Sequence, residues 1–330
     1  MNGAKRKSVA LQRLGILGSP QGPYVRQLVA AARARNSQLD VQLLSFADLS
    51  VTLDDSTVSV TARPAESRAG DALATGSLTE DSLTDQVELL SLDGVIVRTM
   101  PLGSLEQVIF RMDALQAVDH AGVPLLNPPR TLEISIDKWL TLERLERVGI
   151  ATPRTVACQS RTTAMDAFEK LGRDVVVKPL FGGEGRGIVR LSDADMAWRV
   201  FGTLQQLGNV IYVRQFLPHF GYDIRVLIIG QRLLSVKRRA ADGSWRTNIS
   251  QGCRAERHDL TEHEQQLAWS AAGVTGGSLL GIDLLPTRDG RTVVLEVNAV
   301  PGSNGTAAAL GVNVADLVIE HLEDLHAQRT

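Results

Sequence analysis

A hairpin near the end of the chain constrains the fold more than any other stretch. Gly281-Ile282-Asp283-Leu284-Leu285 and Val294-Leu295-Glu296-Val297-Asn298 flank a turn, Pro286 to Thr292, that contains Asp289-Gly290. Aliphatic runs on either side of an Asp-Gly pair predict two antiparallel strands. A turn centred between Asp289 and Gly290 sets Asp283 directly opposite Glu296, with Asn298, two residues on, facing the same side. Opposed carboxylates repel unless a cation lies between them. A hard divalent ion such as Mg²⁺ takes oxygen ligands of this kind, with substrate phosphates completing its shell; solvated acids at a sheet edge are the alternative.

The rest of the chain sets the frame for that hairpin. A length of 330 residues fits two or three domains. A formal net charge of -2 gives no electrostatic case for nucleic acid or membrane as partner, so any charged site must be local. Cys158 and Cys253 are far apart and lack CxxC spacing, which argues against zinc or a disulfide framework and fits a reducing, cytoplasmic setting. The basic start, Met1 to Lys7, is followed by no uninterrupted apolar run and reads as a short tail. None of the six histidines has the spacing of a metal site or triad, and surface positions are expected for them.

Leu14–Leu17 and Val41–Phe46 read as strands around a helix from Tyr24 to Ala34, a unit whose turn lacks GxGxxG and is therefore read as scaffold. Residues 50–86 predict a short hairpin or a strand plus a mobile loop, and Asp93–Arg98 a buried strand. Ser104–His120 predicts a helix, and the strand at Val123 is ended by Pro128-Pro129, the expected first domain boundary. A helix from Ile136 to Val148 opens a second α/β unit, in which strands are expected at 174–179, 210–216, 222–229 and 233–239. A further helix is expected at 260–274, and an amphipathic one at 312–328 closes the chain.

Four glycines stand in the six residues Gly182-Gly183-Glu184-Gly185-Arg186-Gly187. Such a run is costly to order, and close approach of phosphate oxygens to backbone N–H groups is one reason to have it. Lys178 ends the preceding apolar strand, where an ammonium could hold a phosphate; a flexible hairpin with an exposed lysine is the bland alternative. GxxxxGK[ST] is absent, so this is not a P-loop, and without GxSxG there is no hydrolase elbow. On the strand from Tyr222, Asp223 and Arg225 share a face, and Arg238, Arg239, Arg246 and Arg254 follow, forks suited to carboxylates and phosphates.

Taken in order, Asp137-Lys138, Val175 to Gly187, Gly221-Tyr222-Asp223-Ile224-Arg225, Arg246-Thr247-Asn248, Gly281-Ile282-Asp283 and Glu296-Val297-Asn298-Ala299-Val300-Pro301-Gly302 resemble the ATP-grasp superfamily, and within it RimK-type α-L-glutamate ligases. The resemblance spans about residues 130–330. It implies an α/β (α+β) ATP-grasp fold: a Rossmann-like preATP-grasp domain over 1–129, a small subdomain with the glycine loop over 130–208, and a C-terminal subdomain with the metal site over 209–330.

It also implies roles. Lys138 and Lys178 would contact ATP phosphates under the loop of Gly182, Gly183, Glu184, Gly185 and Gly187, and Gln215, Phe216 and Leu217 would be the hinge that reads adenine. Family members commonly carry Gln-Glu where this chain has Arg214-Gln215. Asp283, Glu296 and Asn298 would hold one or two Mg²⁺ or Mn²⁺ ions. Arg225, Arg239, Arg246 and Asn248 would serve the reacting carboxylate and phosphate. The implied reaction is amide formation through an acyl phosphate, adding L-glutamate to a tetrahydromethanopterin-like coenzyme or to a protein or peptide acceptor, in a homo-oligomer. The alternatives are a non-catalytic ATP-binding regulator of the same fold, a ligase for another amino acid, and a carboxylase, for which no biotin-carrier segment is evident.

Overall fold

The computed structural model describes residues 10–65, 86–182, 187–241, 245 and 253–329. Its first unit runs β1 (Arg13–Leu17), α1 (Pro23–Arg35), β2 (Asp40–Leu44), β3 (Ser50–Asp54), β4 (Thr57–Ala62), β5 (Val87–Glu88), β6 (Gly94–Val97), α2 (Leu105–His120) and β7 (Leu125–Leu126). The strands β2-β1-β6-β7 form a parallel sheet in that order. Leu14, Ile16, Val95 and Ile96 are fully buried, as expected of parallel strands covered on both faces. The hairpin expected between 50 and 86 is β3–β4, extended by β5 into a small antiparallel sheet.

Pro128-Pro129 does more than end a strand. Pro129 is the first residue of a helix absent from the sequence reading, α3 (Pro129–Ile136), where its missing N–H is no loss. The next helix, α4 (Lys138–Arg147), is separate because Asp137 caps it, accepting from the N–H groups of Trp139 and Leu140. Just before the prolines, Asn127 is fully buried and donates to Leu279 O (2.6 Å) and Ala299 O (2.8 Å). Its side-chain oxygen accepts from the N–H groups of Ser278 (3.1 Å) and Leu279 (3.0 Å).

Two antiparallel sheets follow. The first, in the order β10-β9-β11-β8, contains β8 (Thr155–Cys158), β9 (Val175–Lys178), β10 (Val189–Leu191) and β11 (Ile211–Gln215). Helices α5 (Arg161–Lys170) and α6 (Ala194–Gln206) cover it around Phe168 and Phe201. The second runs β14-β13-β12-β15-β16 and contains β12 (Tyr222–Ile229), β13 (Arg232–Arg239), β14 (Arg254–Arg257), β15 (Leu279–Pro286) and β16 (Thr292–Asn298). Helix α7 (Glu262–Thr275) precedes β15; α8 (Asn304–Leu310) and α9 (Val314–Arg329) follow β16. The last helix returns to the start of the chain: Ile319 and Leu322 share a core cluster with Leu14, Ile16, Leu227 and Ile229. Among the described residues no helix is long and apolar enough to cross a membrane.

The hairpin pairs Asp283 with Glu296 and Gly281 with Asn298, as the sequence predicts, but by a different route. Nearer the turn Leu284 faces Val294 and Pro286 faces Thr292, so the turn is centred on Asp289. Leu295 is the extra residue of a β-bulge that restores the predicted pairing at the acids.

Candidate active site

Across the second sheet the register lays charges side by side. Arg225 stands opposite Asp283, Asp283 opposite Glu296, and Asp223 opposite Arg238. Strand alternation puts all five on one face. Arg238 is buried and forks onto Asp223, Nε to Oδ1 at 2.7 Å and Nη2 to Oδ2 at 2.5 Å, while Nη2 also reaches Asp283 Oδ2 at 2.9 Å. Arg225 brings Nε within 2.6 Å of Asp283 Oδ1 and donates from Nη2 to Oδ2 at 3.1 Å. The shorter contact is poorly aligned, so Oδ1 of Asp283 and Nε and Nη1 of Arg225 are buried without hydrogen bonds among the described residues. Burial pushes the Asp283 carboxyl upward against the pull of Arg225 and Arg238. Burial alone would raise Glu296 too, but Lys178, Arg225, Lys138 and Arg238 together hold it low.

The facing sheet contributes the lysines. Lys178, buried at the end of β9, sets Nζ 3.8 Å from Glu296 Oε2 and 5.5 Å from the centre of the Tyr212 ring. Burial, reinforced by Arg214, pulls its pKa down to about 7. Lys138 donates to Leu180 O (3.1 Å) and Gly182 O (2.6 Å), at the foot of the glycine segment, and burial lowers its pKa as well. Gly182 and Gly187 both take positive φ, +106° and +70°; a Cβ on Gly187 would stand 2.9 Å from Pro179 Cγ. Gly183, Glu184 and Gly185, like Arg246 and Asn248, lie outside the described residues.

Between the sheets opens a cleft of about 700 Å³ including its mouth, lined by Lys178, Arg214, Phe216, Asp223, Asp283 and Glu296 among others. Gln215 and Phe216 use their N–H groups on Arg154 O and Asp174 O; Leu217 N–H has no backbone partner among the described residues. The Phe216 ring carries Arg190 on one side at 3.4 Å and meets Trp245 edge-on at 5.9 Å.

Two placements differ from the sequence reading. Arg239 is on the opposite face of β13, half-exposed and paired with Glu256 at 2.9 Å, so the arginine that meets the acids is its neighbour Arg238. The two-residue turn Gly230-Gln231, which sets Ile229 against Arg232, is the signal that pairs Asp223 with Arg238. His219 lines the cleft instead of the surface, 5.8 Å from Phe216, and its pKa is lowered by burial. Asn298 faces the row, with Oδ1 accepting from Val300 N at 2.9 Å. Among the described residues no three His, Cys, Asp or Glu side chains cluster as a metal cage. Asp283, Glu296 and Asn298 present two carboxylates and one amide on this face of the sheet.

Known proteins match this chain in sequence and in fold. A model of the RimK-like ATP-grasp domain matches residues 135–322. The tetrahydromethanopterin:alpha-L-glutamate ligase of Methanosarcina acetivorans is 29% identical over 345 residues, covering 96% of this chain and 100% of that protein. A probable alpha-L-glutamate ligase of Legionella pneumophila is 32% identical over 68% of this chain and 78% of its own length. Among solved structures, the ATP-grasp ligase PsnB with a minimal precursor superposes with a TM-score of 0.69 at 18% identity, over 94% of this chain and 98% of that one. A RimK domain ATP-grasp protein from Sphaerobacter thermophilus gives 0.64 at 19% identity, over 94% and 99%. The family match covers both sheets of the cleft and the acids between them, and the chain belongs to the RimK-like ATP-grasp family of carboxylate–amine ligases.

Proposed function

We propose that this protein joins the amine of L-glutamate to a substrate carboxylate at the expense of ATP, through an acyl phosphate. The observation that carries the reading is the convergence of Lys178, Arg214, Arg238, Asp223, Asp283 and Glu296 on one cleft between two sheets, with Arg225 paired to Asp283 and Lys138 at the foot of the glycine segment. Adenine would lie along Gln215, Phe216 and Leu217, taking the spare Leu217 N–H, with its phosphates toward Lys138 and Lys178. Gly183, Glu184 and Gly185 would complete the cover between Gly182 and Gly187. Asp283 has a buried carboxylate oxygen with no hydrogen bond, which fits a hard cation, so we assign Asp283, Glu296 and Asn298 to Mg²⁺ or Mn²⁺, one ion or two. Such an ion would neutralise charge on the transferring phosphoryl group.

The side chains do the remaining work. A substrate carboxylate oxygen attacks the γ-phosphorus and ADP leaves; the amine nitrogen then attacks the acyl carbon, and inorganic phosphate leaves and takes up the proton the nitrogen gives off. No side chain serves as nucleophile. Lys138 and Lys178 offset phosphate charge, and Arg225, whose Nη1 has no hydrogen bond among the described residues, holds the reacting carboxylate beside Arg238. We place Arg246 and Asn248 at the same phosphate from their resemblance alone. A closed cleft also keeps water from hydrolysing the acyl phosphate.

For the acceptor we favour a tetrahydromethanopterin-like coenzyme, since that relative is matched over its full length; a protein or peptide end is the second candidate. We also propose a homo-oligomer in the cytoplasm, which light scattering and fractionation test. ADP release with Mg²⁺, ATP and a panel of amino acids and acceptors, read with product mass spectrometry, tests the function. Gain of one glutamyl residue on one acceptor is the expected result; ligation of a different amino acid overturns the glutamate assignment, and ATP binding without ligation of anything overturns the enzyme.

A further inference from the structure

In the N-terminal sheet the chain leaves β1 for β2 on one side and later reaches β6 on the other. Open parallel sheets bind ligands where strand order diverges in this way, at the C-terminal ends of the strands. Here those ends are Leu17-Gly18 and Val97-Arg98. The two are joined, with Arg98 N–H and Thr99 N–H both donating to Leu17 O at 2.8 and 3.3 Å. A Cβ at Gly18 would stand only 3.3 Å from Arg98 Cβ, so the floor of the crevice is kept small.

Arg98 itself is short of partners. Its guanidinium is largely desolvated, although the residue keeps partial contact with solvent. It donates from Nη2 to Pro301 O at 2.8 Å and lies 4.4 Å over the Tyr24 ring. No carboxylate among the described residues pairs with it, and burial draws its pKa down to about 10. Arg35, Arg225 and Arg238, by contrast, each have acids in contact. A largely desolvated guanidinium with donors to spare can be completed by an anion that accepts two parallel bonds.

The crevice also adjoins the acid row. At Gly281, opposite Asn298, a Cβ would collide with Arg225 Nη1 and stand 2.9 Å from Pro301 Cβ. A Cβ on Gly302 would stand 2.9 Å from Tyr24 Oη. Pro301-Gly302 therefore separates two arginines: Arg225 on the side of Asp283, Arg98 on the side of the N-terminal sheet.

We infer that Arg98, with Tyr24 beside it, is the anchor for a non-reacting carboxylate of the amino acid whose amine is ligated. This rests on the ligase reading above. One guanidinium suits a single negative charge, whereas Lys138 and Lys178 are already assigned to the phosphates and Arg225 and Arg238 to the reacting carboxylate. Anchored there, the amino acid meets the acyl centre across Pro301, and amines lacking that carboxylate are disfavoured.

The test uses Arg98→Lys, which keeps the charge and a donor for Pro301 O, and Arg98→Gln. Steady-state kinetics with whichever amino acid the wild type ligates should show KM for that amino acid raised at least tenfold in both variants. KM for ATP should stay within twofold and the thermal midpoint nearly unchanged. Unchanged KM for the amino acid overturns the anchor, and so does an equal rise for ATP and amino acid, which marks a strut between segments. If the ligated amino acid is not glutamate, the glutamate assignment fails while Arg98 is still decided by the same comparison. If nothing is ligated, NMR titration with L-glutamate decides it: binding to the wild type and not to Arg98→Gln supports the anchor, and equal or absent binding overturns it.

Discussion

Lys178 and Glu296 meet across the cleft, Nζ 3.8 Å from Oε2, and they come from different sheets. That contact makes one electrostatic unit of a phosphate-side lysine and an acid of the proposed metal row. Lys178 is the largest of the charges that hold Glu296 ionised, and Glu296 partly offsets the burial and the Arg214 repulsion that discharge Lys178. Each change in one partner must therefore register in the other.

Glu296→Gln keeps the shape of the side chain and removes its charge. Without that carboxylate the oxygen set falls to Asp283 and Asn298. ADP release should drop on the order of 10²-fold or more, with an unchanged circular dichroism spectrum. Undiminished turnover would sink the metal assignment.

Binding of ATP should take up a proton near pH 8. With a pKa of about 7, Lys178 is mostly neutral there in the free protein, and phosphate charge beside it raises that value. Near pH 6 the lysine is already charged, so uptake should vanish. Calorimetry in buffers of different ionisation enthalpy reads this directly, and uptake independent of pH would remove Lys178 from the phosphates. The stability corollary has a definite sign: between about 7 and the ordinary lysine value of 10.5 the unfolded chain binds more protons, so the Lys178 contribution to stability rises with pH across that window.

Asp223 and Arg238 form a buried pair whose removal by halves should be severe. Arg238→Met leaves Asp223 buried with its main counter-ion gone, at a cost of about 3–5 kcal/mol. Asp223→Asn with Arg238→Met should cost less than the two single changes summed, because neither leaves a stranded charge. Urea unfolding of the four proteins completes the cycle; strict additivity would show that the fork is not an energetic pair.

How far the sequence carried this reading depends on range. The acids of the hairpin were legible because strand period and an Asp-Gly turn act locally, and the Leu295 bulge happened to cancel a turn centred one half-step away. The lysine-before-glycine order was legible for the same reason. Arg238 and Arg239 were not separable by composition, since adjacent strand residues face opposite ways and only the register of β12 with β13 says which way. Arg98 gave no local signal at all: its position depends on Pro301, some two hundred residues later. Pro129 misled because the same residue that breaks a strand also starts a helix.

Asn127 gives the last prediction, and it bears on how the segments are joined. Its amide satisfies Leu279 O, Ala299 O, Ser278 N and Leu279 N at full burial, tying the end of the parallel sheet to the start of β15 and the residue after β16. Asn127→Ala strands several buried backbone groups, each worth about 1–3 kcal/mol, so the loss should be at least about 4 kcal/mol by urea unfolding. Asn127→Asp keeps both acceptor contacts but turns a charge toward two carbonyls, and it should be destabilised as well, more at pH 8 than at pH 4, where the acid is protonated and regains a donor. A loss under about 1 kcal/mol in both variants would mean that water replaces the amide, and that the two segments are joined by their shared apolar core alone.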